Sequence, residues 1–491
     1  MKNSKNRREA LVYHAKPKPG KIEVIPTTKY NTQRELSLAY SPGVAHPCIE
    51  IEKDINNVYK YTSKGNLVAV ISNGTAVLGL GDIGPEASKP VMEGKALLFK
   101  IFAGIDVFDI EIDAKDTEKF IETVKNISPT FGGINLEDIK APEAFEIEKR
   151  LSEELDIPVM HDDQHGTAII SCAALLNALE IAGKKIENIK MVVCGAGAAA
   201  ISCTRMYKAF GLNSKNIIMT DSKGVIRDNR KDLSPEKKEF ATSKKINTLE
   251  QAIKKMDVFI GLSKANMLTS KMLLSMAKNP IVFAMANPDP EIRYDLAMKT
   301  RDDIIMATGR SDYPNQVNNV LGFPFIFRGA LDVKATKIND KMKMAAVKAL
   351  ASLAKETVPE FVNIAYDKTK LAFGKNYIIP KPFDPRLITK IPPQVAKAAM
   401  ESGVAQDPIK CWEEYEEQLH SRLGNDKKIV RLLTNRAKAN PKSIIFAEAD
   451  HLDVLKAAQI VHEEGIGYPI LLGDKEVILE LKSQIEFEDD I

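Results

Sequence analysis

Apolar residues in this chain come in short runs broken by longer stretches of helical spacing, and the two patterns alternate from about residue 67 to residue 309. That alternation predicts an α/β architecture built on parallel strands. Apolar runs at 67–71 and 76–80 read as a hairpin or paired strands, and 107–114 alternates as a strand. Further strands are expected at 128–138, 157–160, 189–194, 216–221, 257–263, 280–290 and 303–309. Helices are expected from Pro90, a residue suited to a first helical position, and over 141–155, 167–182 and 198–210. The stretch 167–182 is apolar nearly all round, which suits a helix buried between layers. Residues 335–372 read as helical, 376–405 as a proline-rich excursion ending in a helix, and 413–428 as a solvated linker helix. From Ile429 a new βα pattern begins, with strands at 443–449 and 468–473 between helices at 431–439, 452–465 and 477–484. Two strands cannot bury a doubly wound sheet, so this last segment is expected to be part of a larger domain or to be completed by something outside the sequence.

At 491 residues with 44% apolar and 27% charged, the chain is too long for one core, and two or three domains are expected. The net charge of +3 comes with no long run of like charge, which argues against a nucleic-acid tail or a membrane patch. Five cysteines lie scattered without a C-x-x-C pair and read as reduced, structural thiols. The basic start lacks an apolar leader, and no segment reaches about 18 consecutive apolar residues, so a cytoplasmic protein is expected. Residues 1–30 are helical and then proline-rich, an extended arm of the kind that wraps a partner surface and hints at a homo-oligomer.

Chemistry concentrates where strands end. Two successive strands of a β-α-β unit finish in acidic pairs, Glu137-Asp138 and Asp162-Asp163. Neighbouring strands of a right-handed parallel crossover bring their carboxyl ends side by side, so the pairs can share one ion. Crowded carboxylates offering only oxygen favour Mg²⁺ or Mn²⁺ over zinc, although each pair could instead cap the helix that follows it. The strand at 189–194 delivers Gly195-Ala196-Gly197-Ala198-Ala199-Ala200, the dinucleotide fingerprint between strand and helix, and Asp221 closes the next strand where an acid would hold a ribose hydroxyl. Lys95 shares helical spacing with Val91, Leu98 and Phe102, so it either snorkels to water or sits desolvated with a lowered pKa, able to act as a base. Tyr40 precedes a Pro42-Gly43 turn and could pack its ring in the core with a satisfied hydroxyl. Asn287, Asn318 and Asn319 fall on the same ligand-facing edge, or are turn residues.

The ordered set LSLAYSPGVAHPC, SNGTAVLGLGDIGPEASKPVMEGKALLFK, GGINLEDI, HDDQHGTA, VVCGAGAAA, TDSKGVI, MANPDPEI, TGRSDYPNQVNN and IIPKPFDPRL resembles bacterial-type malic enzymes over about residues 10–410. From Ile429 the chain is similar to the beginning of phosphate acetyltransferase, as in the hybrid members of that family. The resemblance implies an N-terminal α/β substrate and metal domain over 1–160 and a Rossmann-type dinucleotide-binding domain over 161–385. C-terminal helices and a linker would follow over 386–428, then a partial α/β phosphate acetyltransferase-like segment over 429–491. It implies oxidative decarboxylation of L-malate to pyruvate and CO₂ with reduction of NADP or NAD. By family analogy Lys95 takes the C2-hydroxyl proton, Tyr40 protonates C3 of the enolate, and Asp162 tunes Lys95, while Glu137, Asp138 and Asp163 hold the divalent ion. Asn287 and Asn318 would bind substrate carboxylate or nicotinamide ribose.

Two points depart from the family pattern or divide it. Where larger animal-type members carry a carboxylate-binding arginine, this chain has Thr75-Ala76, so the anchoring cation is unassigned. Asp221 pulls toward NAD by charge, whereas Ser222, Lys223 and the later Lys238 match the version that accepts a 2′-phosphate, which favours NADP. The resemblance to the hybrid members implies an acetyl-CoA effector only were the last domain complete, and that effector is not assumed. Two other readings compete: a non-decarboxylating 2-hydroxyacid dehydrogenase, which would use a histidine base, and a regulatory protein that senses dinucleotide or acetyl-CoA without turnover.

Overall fold

The protein is described from a computed structural model covering residues 2–77, 79–359, 362–363, 366, 371–422, 436–438, 440–463 and 465–485. It divides into two compact units, Met1–Glu416 and Glu417–Ile491. The end of the helix expected over 413–428, part of that over 335–372 and most of that over 431–439 lie outside the described residues.

The larger unit starts with helices α1 (Lys2–Ala15) and α2 (Gln33–Ala39), neither of which is built into a sheet. A first sheet is wholly parallel, with strands β1 (Leu67–Ser72), β2 (Asp106–Glu111), β3 (Gly133–Leu136) and β4 (Val159–His161) in the order β2-β1-β3-β4. Helices α3 (Pro85–Ala103), α4 (Thr117–Ile127) and α5 (Glu143–Glu154) connect them. Leu67, Ala69 and Ile71 of β1 and Ile134 and Leu136 of β3 meet Phe120 and Val124 of α4 and Ile147 and Leu151 of α5 in one core. These are alternate strand positions facing helical stripes, as a two-layer packing requires.

The hairpin expected over 67–71 and 76–80 does not form. Both neighbours of β1 are distant parallel strands, and Val77 makes only an isolated bridge to Gly81. The glycines between them make a tight loop: Gly74 has a φ of +65°, and a Cβ there would fall on the Gly84 backbone. Nor does α3 begin at Pro90. Pro85 takes the first helical position, and Pro90 lies in the second turn, where it has no N–H to offer the Glu86 carbonyl. The buried stripe of α3 is Ser88, Met92, Ala96, Phe99 and Ala103, so Lys95 stands at its edge rather than within it.

From β4 the chain passes directly into α6 (Asp162–Ala182), which starts five residues earlier than its apolar run. Among the described residues α6 is the one helix long and apolar enough to cross a membrane, and it is a buried core helix of this unit. It leads to a second sheet, ordered β10-β9-β8-β5-β6-β7: β5 (Met191–Cys194), β6 (Ile217–Asp221), β7 (Gly224–Val225), β8 (Val258–Gly261), β9 (Ile281–Ala284) and β10 (Ile305–Thr308). All pairs are parallel except β6 with β7. The chain turns from one side of β5 to the other, which makes the carboxyl end of β5 the switch point where open α/β sheets bind ligands. Helix α7 (Ala198–Ala209) follows β5 and packs on α6. Helices α8 (Phe323–Asp332), α9 (Asp340–Leu353) and α10 (Arg386–Glu401) pack on one another, and α8 also packs on α3 while α9 packs on α6.

The smaller unit pairs β11 (Lys442–Ala447) with β12 (Gly467–Leu472) in parallel, joined by α11 (Leu452–Glu463) and followed by α12 (Lys475–Ile485). Ala449, Leu455, Ala458 and Ile478 form its small core, while Ile445, Ile470 and Leu472 of the strands stay exposed.

Candidate active site

Strand ends β3 and β4 bring the two acidic pairs together, because β4 pairs with β3 in register Leu136↔His161. Glu137, Asp138 and Asp163 each offer an oxygen, and these oxygens lie within 4.8 Å of one another. Glu137 and Asp138 are buried, and the Asp138 N–H donates to Asp163 Oδ2 at 2.8 Å. Burial pushes the Glu137 carboxyl well above its usual range; Lys95 opposes this, and Asp163, Asp162 and Asp138 add repulsion. A set of carboxylates this crowded fits a divalent cation, whose charge would offset their repulsion.

Lys95 reaches this cluster from α3. Its Nζ lies 2.7 Å from Asp162 Oδ2 and 2.9 Å from Glu137 Oε1, and 4.2 Å from the centre of the Phe323 ring. The side chain is 10% exposed, so the ammonium does not snorkel. Its pKa is nevertheless not lowered, as a desolvated lysine alone would require. Burial works in that direction, but Asp162 and Glu137 outweigh it and hold the amine above its usual value. Asp162 is fully buried and accepts a second hydrogen bond from Asn319 Nδ2 at 3.1 Å, and Thr167 Oγ1 donates to Asn319 Oδ1 at 3.0 Å. Asn319 therefore reaches the site, whereas Asn318 turns its Oδ1 to the Val320 N–H and caps a short helical turn. The sequence reading gives this role to Asn318; its neighbour Asn319 is the asparagine that meets Asp162.

Thr75 and Ala76, which replace the expected cation, fasten this corner. The Ala76 N–H donates to the Asp138 carbonyl at 2.9 Å, and Thr75 Oγ1 accepts from the Lys140 N–H at 3.1 Å. Asn287 lies against Gly309, where an added Cβ would stand 3.1 Å from its Oδ1. Glu291, fully buried, accepts from the Ser263 N–H at 2.9 Å and the Ala286 N–H at 3.1 Å, and so ties together the loops that follow β8 and β9. Tyr40 is not in the core: it is 77% exposed at the end of α2, and no hydrogen bond joins it to Lys95 or the carboxylates.

Beside the cluster a cavity of about 650 Å³ follows the carboxyl end of β5. Gly195, Ala196 and Gly197 line it together with Asp221, Ser222 and Lys237, and Ala141 and Pro142, just beyond Asp138, close its other side. Gly195 has a φ of +123°, and a Cβ there would fall on the Leu262 carbonyl, so the turn admits only glycine. Ala198 and Ala199 open α7, whose first amides point toward the turn as a phosphate site needs. Asp221 is already neutralised: Arg230 forks onto it with both contacts at 2.8 Å, and Lys237 Nζ lies 3.3 Å away. Burial alone would raise the Asp221 carboxyl, but Arg230, the Lys223 N–H and Lys237 outweigh it and hold it below its usual value. Of the two adjacent lysines it is thus Lys237 rather than Lys238 that lines the cavity, as Lys264 does from beyond β8, and the Lys223 ammonium turns away to Asp232 at 2.8 Å. Arg230 had no motif to announce it.

Neither histidine of the HDDQHG stretch is placed as a base. His161 is enclosed, and the His165 ring is bound to Glu148, with Nε2 2.8 Å from Oε1.

Comparison with known proteins accords with this geometry. Residues 19–152 match the malic enzyme N-terminal domain, 164–366 the malic enzyme NAD binding domain, and 428–489 phosphate acetyl/butaryl transferase. The chain is 54% identical to the NADP-dependent malic enzyme of Escherichia coli (strain K12) over 98% of its own length and 65% of that protein's, so it spans about two thirds of that relative. It is 59% identical to the NADP-dependent malic enzyme of Halomonas elongata, over 82% of this chain and 95% of that one. The crystal structure of malic enzyme from Pyrococcus horikoshii Ot3 superposes with a TM-score of 0.79 at 43% identity, covering 88% of this chain and 99% of that one. Fold, site and relatives agree, and the chain belongs to the malic enzyme family.

Proposed function

We propose that this chain oxidatively decarboxylates L-malate to pyruvate and CO₂, reducing NADP and requiring Mg²⁺ or Mn²⁺, in the cytoplasm and as a homo-oligomer. The observation that carries the reading is Lys95, held between Asp162 and Glu137 at the edge of a three-carboxylate cluster and beside a dinucleotide cavity. Glu137, Asp138 and Asp163 would hold the cation, which supplies Lewis acidity toward the C2 oxygen and the enolate left by CO₂. Lys95 in its unprotonated form would accept the C2-hydroxyl proton as hydride passes to the nicotinamide, and Asp162, which holds the ammonium form at 2.7 Å, keeps Nζ aimed at that oxygen. Asn287 and Asn319 orient the substrate carboxylate or the nicotinamide ribose; the return of a proton to C3 by Tyr40 rests on family resemblance alone, since its exposed ring does not meet Lys95 or the carboxylates. Neutralisation of Asp221 by Arg230 and Lys237 supports NADP over NAD, in agreement with the NADP-dependent malic enzyme of Escherichia coli. Five free thiols support a reducing compartment. Val24, Ile25, Leu36, Leu38 and Tyr40 stand exposed along the N-terminal arm and α2, which supports burial against a second copy.

The test is to incubate the protein with L-malate, Mn²⁺ and either cofactor, following reduced cofactor and pyruvate together. Both should appear in equal amounts, faster with NADP, and Lys95→Ala should abolish both. Reduced cofactor accompanied by oxaloacetate without pyruvate would overturn decarboxylation, and near-normal turnover by Lys95→Ala would remove the lysine from the chemistry.

A further inference from the structure

Beneath the carboxylate cluster lies a second polar network that the reaction does not use. Glu148 of α5 accepts the His161 backbone N–H at 2.9 Å, and its carboxylate also meets His165 Nε2 at 2.8 Å from Oε1 and 3.0 Å from Oε2. The Glu148 side chain is 14% exposed. Lys343 of α9 stands 3.4 Å from His165 Nδ1 and 2.8 Å from Asp340. One tautomer satisfies the chain: Nε2 carries the proton for the carboxylate, and Nδ1 accepts from the lysine. The His161 N–H belongs to the residue where β4 ends, immediately before Asp162 and Asp163. Asp163 is held on its other side by the Asp138 N–H at 2.8 Å.

We propose that Glu148 is a positioning residue for the metal-binding turn, its carboxylate fixing the start of α6 by holding the His161 N–H and the His165 ring together. The inference rests on the reading that Glu137, Asp138 and Asp163 bind a divalent cation. Glu148 grips the turn at both ends, at the backbone before the acidic pair and at a side chain one helical turn into α6. Without it a buried N–H loses its acceptor and the turn carrying Asp163 is free to rotate away from Glu137 and Asp138. Partners one step out from metal ligands typically govern affinity about ten- to a hundredfold.

The experiment uses the full chain and two readouts: Mn²⁺ affinity from the electron paramagnetic resonance of free Mn²⁺, and hydrogen exchange of the segment 159–165 in chelator-treated protein. Glu148→Ala should weaken Mn²⁺ binding about ten- to a hundredfold and speed exchange in that segment, while kcat at saturating Mn²⁺ falls far less than the affinity. Glu148→Gln keeps a carbonyl for the His161 N–H and should recover most of the loss. Should the alanine variant not fold, Glu148→Asp retains the charge one methylene short of both donors and should show the same weakening. Affinity within twofold of the parent in a folded alanine or aspartate variant, or unchanged exchange at 159–165, overturns the proposal. If the unmodified protein binds no Mn²⁺, the metal reading fails instead, and the exchange measurement alone decides the role of Glu148.

Discussion

Lys95 is a cation placed where three carboxylates converge, so the amine and a divalent ion address the same negative charge. With an ion on the proposed ligands, Glu137 would share its charge and Lys95 would give up its proton more readily, which would tie the proposed base to the cation beside it. A comparable division of labour holds at the adenosine end of the cleft. Lys237 faces the cavity and Lys238 does not, so Lys237→Ala should raise KM for NADP about ten- to a hundredfold, the loss of one charge-assisted contact. KM for NAD should stay within about twofold in that variant, and Lys238→Ala should leave both cofactors alone; initial rates with each cofactor check this. The acidic pairs, the glycine turn and Asp221 were legible because their meaning depends only on which residue type falls at a strand end. Lys237 against Lys238 and Asn319 against Asn318 were not, since both choices turn on the phase of a helical turn four residues long or shorter, which spacing does not resolve. Lys95 was legible by position but not by charge state, because its carboxylate partners come from other strands.

Helix α6 joins the metal end of the site to the core beneath the dinucleotide turn, and its first turn has no room to spare. A Cβ at Gly166 would fall on the Asp162 carboxylate and stand 3.0 Å from Asn319 Cγ. Gly166→Ala should therefore push Asp162 off Lys95 and cut kcat at least about tenfold, while the thermal midpoint moves by only a few degrees. Turnover and a melting curve on the same preparation separate the two effects; full activity would show that Asp162 has another place to go. Elements with one dominant period were read correctly from the sequence: β4, the body of α6, β5, α7 and β6. The 76–80 run failed because glycines at positive φ turn an apolar segment into a loop. α3 failed at its start because two prolines compete for the first position, and only packing on β1 and β2 decides between them.

At the scale of the whole molecule, exposed apolar residues crowd along the N-terminal arm and on the strands of the smaller unit, while others, such as Leu80, Leu274 and Phe383, are scattered over the larger unit. The arm includes Val24 at 80% and Ile25 at 68% exposure, close in sequence to Leu36, Leu38 and Tyr40. If a second copy covers it, Val24→Asp with Ile25→Asp should lower the sedimentation coefficient to that of a single chain and depress turnover. A parent protein that already sediments as one chain would refute that cover.

The proposed metal ligands fall at the seam between the two sheets of the larger unit. Glu137 and Asp138 follow β3 directly, while Asp163 lies in the first turn of the helix that runs on toward β5, and residues 153–163 lie between the two matched malic enzyme domains. The site is consequently not portable with either half. A chimera that borrows a foreign nucleotide-binding lobe at residue 160 would import its own Asp162, Asp163 and Gly166 against resident Glu137, Asp138 and Lys95. A graft intended to change only cofactor preference has to be cut after α6, at the approach to Met191, so that the whole ligand set is inherited from one parent.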